Sequence, residues 1–152
     1  MSDISQITEQ LYLASRLSKD DLVEIRKRNI SLIISMIGQE RPPKEFNDFP
    51  SRLLWLKSYD TFLTPVPIRK LKVGVLRALE VLQDKQNVLV FCFQGKRRSV
   101  TMAAAILIAS GYTADSAIEL LSEKREVILP VLWYVKRRIR KFEQYWKNQK
   151  TT

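Results

Sequence analysis

One run of ten residues, Val90-Phe91-Cys92-Phe93-Gln94-Gly95-Lys96-Arg97-Arg98-Ser99, combines a nucleophile with the means of holding an anion. An apolar stretch ends in the sole cysteine, a glycine follows, and Arg-Ser stands where a new apolar, helical stretch begins. Phosphate is the anion this pattern suits. The amides of Phe93 through Arg98 can converge as a ring of donors, and a helix starting there adds the positive end of its dipole. Gly95 lets the backbone approach the ligand and take a conformation that other residues adopt only at a cost. Arg98, six positions after Cys92, can hold two oxygens with its planar fork, which a lysine cannot do. The same donors favour thiolate over thiol at Cys92, so nucleophile and cradle are one structure. Phe93, Gln94, Gly95, Lys96 and Arg97 are the expected substrate-binding positions. Ser99 is expected to cap the helix and to donate to the Cys92 sulfur.

The elements that must position this loop follow from periodicity. Val88–Phe91 and Ser31–Ile37 are short and almost wholly apolar, as strands covered on both faces are. Leu53–Tyr59 reads as another strand, and Ile7–Leu13 as an edge strand or hairpin. Ser18 to Asp21 forms a capping box for a helix through about Arg28. Gln39–Arg52, with three prolines, reads as an exposed loop. Leu71, Val75, Leu79 and Leu82 recur at helical spacing after Pro65 and Pro67. Ser99–Ala109 forms a helix closed by Gly111, and Thr113 caps another running to about Arg125. The last helix gathers Leu132, Val135, Ile139, Phe142 and Trp146 on one face, and Trp133 and Trp146 are expected to pack. Strand–helix alternation of this kind specifies an α/β domain: a central, largely parallel sheet flanked by helices, with the phosphate loop between a buried strand and a helix. At 152 residues, without repeats or Gly/Ser-rich linkers, we expect residues 1–150 to form a single domain.

Cys-x5-Arg-Ser after an apolar strand resembles the signature of the cysteine-dependent protein phosphatases, and the rest of the chain is similar to their small dual-specificity branch. Ile4 to Ser15, with Leu11-Tyr12-Leu13, resembles the opening strands of that family, and Arg125 through Pro130 its C-terminal half. The resemblance implies that Asp60, after the strand Leu53–Tyr59, is the general acid, with Asp48 as a competitor. It also implies attack by Cys92 on a phosphomonoester, a phosphocysteine intermediate, and Ser99 stabilising the sulfur as it departs. The order along the chain differs from the low-molecular-weight tyrosine phosphatases, whose loop comes first and whose acid follows. A rhodanese-like sulfurtransferase would leave Ser99 and Asp60 without a task. The family normally keeps a histidine before the cysteine, supporting loop and thiolate through hydrogen bonds; here that position is Phe91. Lys96 after the loop glycine also occurs in lipid phosphatases of the superfamily.

The remaining composition limits what else this chain can be. There is no histidine, which removes His general bases and the commonest metal ligand, so neither zinc nor Ser-His-Asp chemistry is expected, and no cofactor is implied. A single cysteine excludes an internal disulfide. No apolar run approaches bilayer-spanning length, and Met1-Ser2-Asp3-Ile4 lacks the basic and apolar regions of a secretory signal. We therefore expect a cytoplasmic monomer, with the nucleus as an alternative location. The net charge of +10 is concentrated late, in Lys136, Arg137, Arg138, Arg140, Lys141, Lys147 and Lys150, opposed there by Glu143. Such a surface suits phosphorylated proteins, with inositol lipids or an RNA 5′ end as alternatives. The corresponding alternative functions are an RNA 5′-triphosphatase, an inositol-lipid phosphatase, or a pseudophosphatase that binds phosphorylated partners without turnover.

Overall fold

The computed structural model describes residues 3–59 and 63–150, with the backbone alone at residue 150. Five strands form one sheet: β1 (Ile4–Gln6), β2 (Leu11–Ala14), β3 (Ile30–Ile37), β4 (Arg52–Ser58) and β5 (Asn87–Phe91). Their spatial order is β1-β2-β5-β3-β4. Among the described residues only the β1–β2 pair is antiparallel; β2–β5, β5–β3 and β3–β4 are parallel. The segment Ile7–Leu13 proves to be the turn and second strand of a hairpin. Thr8 explains the turn: its hydroxyl accepts from the amides of Gln10 and Leu11, while the amides of Ile7 and Thr8 donate to the Leu11 carbonyl. β1 takes the edge, and β2 lies inside the sheet against β5.

Side-chain alternation along β5 separates two cores. Val88, Val90 and Cys92 join the larger cluster, beneath α2 (Ile68–Gln83), α3 (Arg98–Ala109), α4 (Ala114–Lys124) and α5 (Trp133–Lys150). Leu89 and Phe91 join the smaller one, with Ile25 of α1 (Leu22–Lys27) and Phe46 of a short turn at Lys44–Asn47. The turn before α1 keeps the expected capping box: the Asp21 carboxylate accepts from Ser18 N–H, and Ser18 Oγ accepts from the Asp20 amide. The proline-containing loop Gln39–Arg52 is less open than expected, because Phe46 is fully buried and Ser51 Oγ donates to the Phe46 carbonyl at 2.6 Å.

α3 is apolar on every side because it runs through the middle of the helical layer, with all residues from Arg98 to Ile108 buried. Gly74 of α2 permits close approach to it: a Cβ there would fall 2.5 Å from Met102 Sδ and 2.9 Å from Leu56. Since β2, β5, β3 and β4 are mutually parallel, their carboxyl ends share one edge, where ligands of open α/β sheets bind. Cys92 leaves the central strand at that edge.

Candidate active site

The loop from Cys92 to Arg97 is anchored to neighbouring elements at several points. The Cys92 amide donates to Ala14 O at 3.4 Å, and the Arg16 amide donates to Phe93 O at 3.1 Å, so the end of β2 fixes the start of the loop. Gly95 has φ +67°, the left-handed region, and a Cβ there would meet Ala14 O at 2.9 Å. In this conformation the Gly95 amide points inward and donates to Cys92 Sγ at 3.2 Å. Ser99 Oγ lies 3.1 Å from the same sulfur. Ser99 is thus inside α3 facing the thiol and is not its cap. The cap position belongs to Arg97, whose side chain makes no capping bond to the helix.

Arg98 is the most constrained cation of the site, with only 8% of its surface exposed. Its Nη1 donates to Ser58 O at 2.8 Å, Gln39 Oε1 at 3.0 Å and Met36 O at 3.4 Å, at the ends of β4 and β3. Among the described residues no carboxylate pairs with it. A buried guanidinium satisfied only by neutral acceptors is costly unless an anion completes it. Above it opens a pocket of ≈ 240 Å³ lined by Gln39, Tyr59, Cys92, Phe93, Gln94, Lys96, Arg97 and Arg98, with no acid among these residues.

Of the expected site residues, Cys92, Arg98, Phe93, Gln94, Lys96 and Arg97 line this one pocket, and Gly95 and Ser99 face the sulfur. Asp60 lies outside the described residues; the adjoining Tyr59 lines the pocket. Asp48, the competing acid, sits after the Lys44–Asn47 turn and is absent from the pocket lining. Phe91 does not line the pocket either. Strand alternation turns it to the opposite face, edge-on to Phe46 with ring centroids 6.0 Å apart. Trp146 stacks on Phe142 as expected, whereas Trp133 is 62% exposed rather than packed.

Two contributors escape sequence reasoning. Gln39 lies at the start of the proline-containing loop, yet its side chain reaches Arg98. Arg125 is almost fully buried and holds the loop from behind: Nε donates to Gly95 O at 3.0 Å, Nη1 to Ser5 Oγ at 2.9 Å, and Nη2 to Asp3 Oδ2 at 2.7 Å. The Arg125 hydrogen bond holds the Asp3 carboxyl below the usual carboxylate range, outweighing the opposing effect of burial. The signal available was an arginine at a helix end, which ordinarily means a solvated cation.

A cysteine at the carboxyl edge of a mostly parallel sheet, with an arginine six residues on at the start of a buried helix, has the architecture of the cysteine-dependent phosphatases. Across 97% of the chain the fold superposes on 99% of the crystal structure of PTPMT1 in complex with PI(5)P, with TM-score 0.86 and 22% identity. It also matches a mouse putative dual specificity phosphatase complexed with zinc tungstate, with TM-score 0.84, 19% identity and coverage of 99% and 92% of the two chains. In sequence it is similar to the tyrosine-protein phosphatase yvh1 of Schizosaccharomyces pombe, 27% identical over 131 residues. That match takes in 86% of this chain and 38% of the relative, so the chain spans well under half the relative's length. No protein-family model matches the chain. The chain thus shares its fold with these phosphatase structures and is similar in sequence to a tyrosine-protein phosphatase.

Proposed function

We propose that this chain hydrolyses phosphomonoesters through a phosphocysteine intermediate, acting on phosphorylated tyrosine, serine or threonine of proteins. The observation that carries this reading is the buried Arg98, which has no carboxylate partner among the described residues and lines the same pocket as a thiol faced by the Gly95 amide and the Ser99 hydroxyl. The described residues place no partner on its Nε and Nη2, and that edge forms a fork for two oxygens of the transferring phosphoryl group. The Cys92 thiolate attacks phosphorus in line, and the bond to the leaving oxygen breaks as that oxygen takes a proton from Asp60. Water then attacks the phosphocysteine, giving its proton to the Asp60 carboxylate. The S–P bond breaks, inorganic phosphate leaves, and Ser99 donates to the departing thiolate. A thiolate nucleophile survives best in a reducing compartment, so we assign the protein to the cytoplasm or nucleus. No helix among the described residues is long and apolar enough to cross a membrane.

The test is hydrolysis of an aryl phosphate and of phosphotyrosine and phosphothreonine peptides by wild type and Cys92→Ser. The variant should lose turnover and still bind phosphate or tungstate, because most of the cradle is backbone and Arg98. Turnover should survive a chelator, since the loop amides and Arg98 supply the positive field. Full activity in Cys92→Ser, or loss of wild-type activity with the chelator, would end the thiolate mechanism.

A further inference from the structure

The chain after α4 carries apolar side chains that it does not bury. In the short turn Glu126–Ile128 and the residues that follow, Ile128 is buried, whereas Val127, Leu129 and Leu132 are 47%, 56% and 40% exposed. Single exposed hydrophobic residues are ordinary, but these three line one groove of ≈ 340 Å³ together with Ile128 and Pro130. The phosphate loop completes the lining: Gln94, Lys96 and Arg97 border both this groove and the Cys92 pocket.

Arg125 holds the groove in register with the loop. Its guanidinium donates to Gly95 O at 3.0 Å, and its carbonyl accepts from the Ile128 amide at 3.2 Å, so one residue fixes both. The Leu129 amide donates to Glu126 O at 3.0 Å, and the buried Ile128 pins the turn to the larger core. Arg97, on the border of the two pockets, donates to Tyr134 Oη at 2.9 Å. Backbone hydrogen bonds and a buried anchor thus pre-form the apolar wall, which lowers the ordering cost of binding there.

We propose that this groove takes an apolar side chain of a phosphorylated peptide, close in sequence to the phosphorylated residue seated over Cys92. The proposal rests on the protein-phosphatase reading and adds a sequence preference to it. Because three residues border both pockets, the apolar residue lies within about three positions of the phosphorylated one, about 10 Å of extended chain. Gln94 is exposed and carries both a donor and an acceptor, which suit the backbone amides beside such a residue. An acyl chain would offer the apolar part alone. A peptide is the occupant that uses both kinds of lining.

Steady-state hydrolysis of a set of phosphotyrosine peptides tests this. The reference peptide has alanine at the three positions on either side of the phosphotyrosine, and each of the others puts leucine at one of them. Leucine at one position, or at two alternate ones, should raise kcat/KM about tenfold, the scale of taking part of a leucine side chain out of water. Val127→Ser/Leu129→Ser should bring the ratio of leucine to alanine peptide close to one, and Leu129→Ser alone should lower it part of the way. Val73→Ser/Leu76→Ser removes comparable exposed apolar surface from α2 and should leave the ratio intact. A ratio unmoved by the groove variants, or one lowered equally by the α2 variant, overturns the proposal. A gain confined to an aryl phosphate with an alkyl tail, absent from every leucine peptide, overturns the peptide as occupant. If all the peptides are hydrolysed at one rate, the protein-phosphatase reading stands and the groove falls; if none is hydrolysed while an aryl phosphate is, that reading falls and takes the groove with it.

Discussion

At the scale of single residues, nucleophile, acid and leaving-group stabiliser should be separable. With Asp60 as the proposed acid, Asp60→Asn should remove proton donation and leave the thiolate intact, so alkylation of Cys92 should persist while turnover falls about 10²–10⁴-fold. The loss should be greatest with poor leaving groups; wild-type rates on a phosphoserine peptide would move the acid elsewhere. Ser99→Ala removes the hydroxyl 3.1 Å from the sulfur. A hydrogen bond to a charged group contributes about 1.5–3 kcal/mol, so breakdown of the intermediate should slow roughly tenfold to hundredfold, and rapid-quench kinetics should show a burst of the first product. Absence of any burst would remove Ser99 from the second step. Phe91 obeys a different constraint, for it packs against Phe46 on the face of the sheet opposite the helical core that holds Cys92. Phe91→His would put a polar ring into an apolar cluster and should cost about 2–3 kcal/mol in denaturant unfolding. The ten-residue motif made the gathering of Cys92, Gly95, Arg98 and Ser99 around one pocket legible from sequence, because a short turn between strand and helix brings its ends together. The direction of Phe91 was equally available, since period-two alternation turns it away from Cys92.

At the scale of elements, the loop depends on support it does not contain. Arg125, beyond α4, ties Gly95 O to Asp3 and Ser5 of the β1 segment. Arg125→Ala leaves the Gly95 carbonyl and Asp3 without this donor and should destabilise by about 2–3 kcal/mol. Arg125→Lys should recover little, since one ammonium cannot span acceptors on both sides. The Asp3 partnership also sets a pH dependence. The Asp3 carboxyl titrates lower in the folded state than in the unfolded one, so its contribution is complete above about pH 4 and is lost as pH falls through the folded value. With the Asp3 side chain 58% exposed, solvent screening limits it to at most about 1 kcal/mol. The stability gap between wild type and Asp3→Asn should therefore be small, present at pH 7 and closed in acid; a gap that widens on acidification would refute the pairing. None of this could be read from the sequence, because the ends of the clamp lie in opposite halves of the chain and no periodicity links them.

Across the whole molecule, a charge of +10 acts on encounter as well as on binding. The rate constant kcat/KM for a phosphopeptide should fall severalfold from low salt to physiological ionic strength, where the screening length is about 8 Å. A flat salt profile would show that the cations serve only local contacts. The α/β class and the helical layer were legible because apolar runs and 3.6-residue stripes are local signals. Sheet order was not, because pairing partners are chosen by tertiary packing: Leu11 and Val88 are neighbours in the sheet and far apart in the chain. That placement of β5 has a consequence for how the protein comes into being. The strand that delivers Cys92 is inserted between β2 and β3, both made much earlier in the chain, so its pairings close long loops and are entropically late. No partly assembled form holding only the N-terminal strands can carry the pocket. In refolding from denaturant, recovery of turnover should therefore trail helix formation and coincide with protection of the β5 amides from exchange.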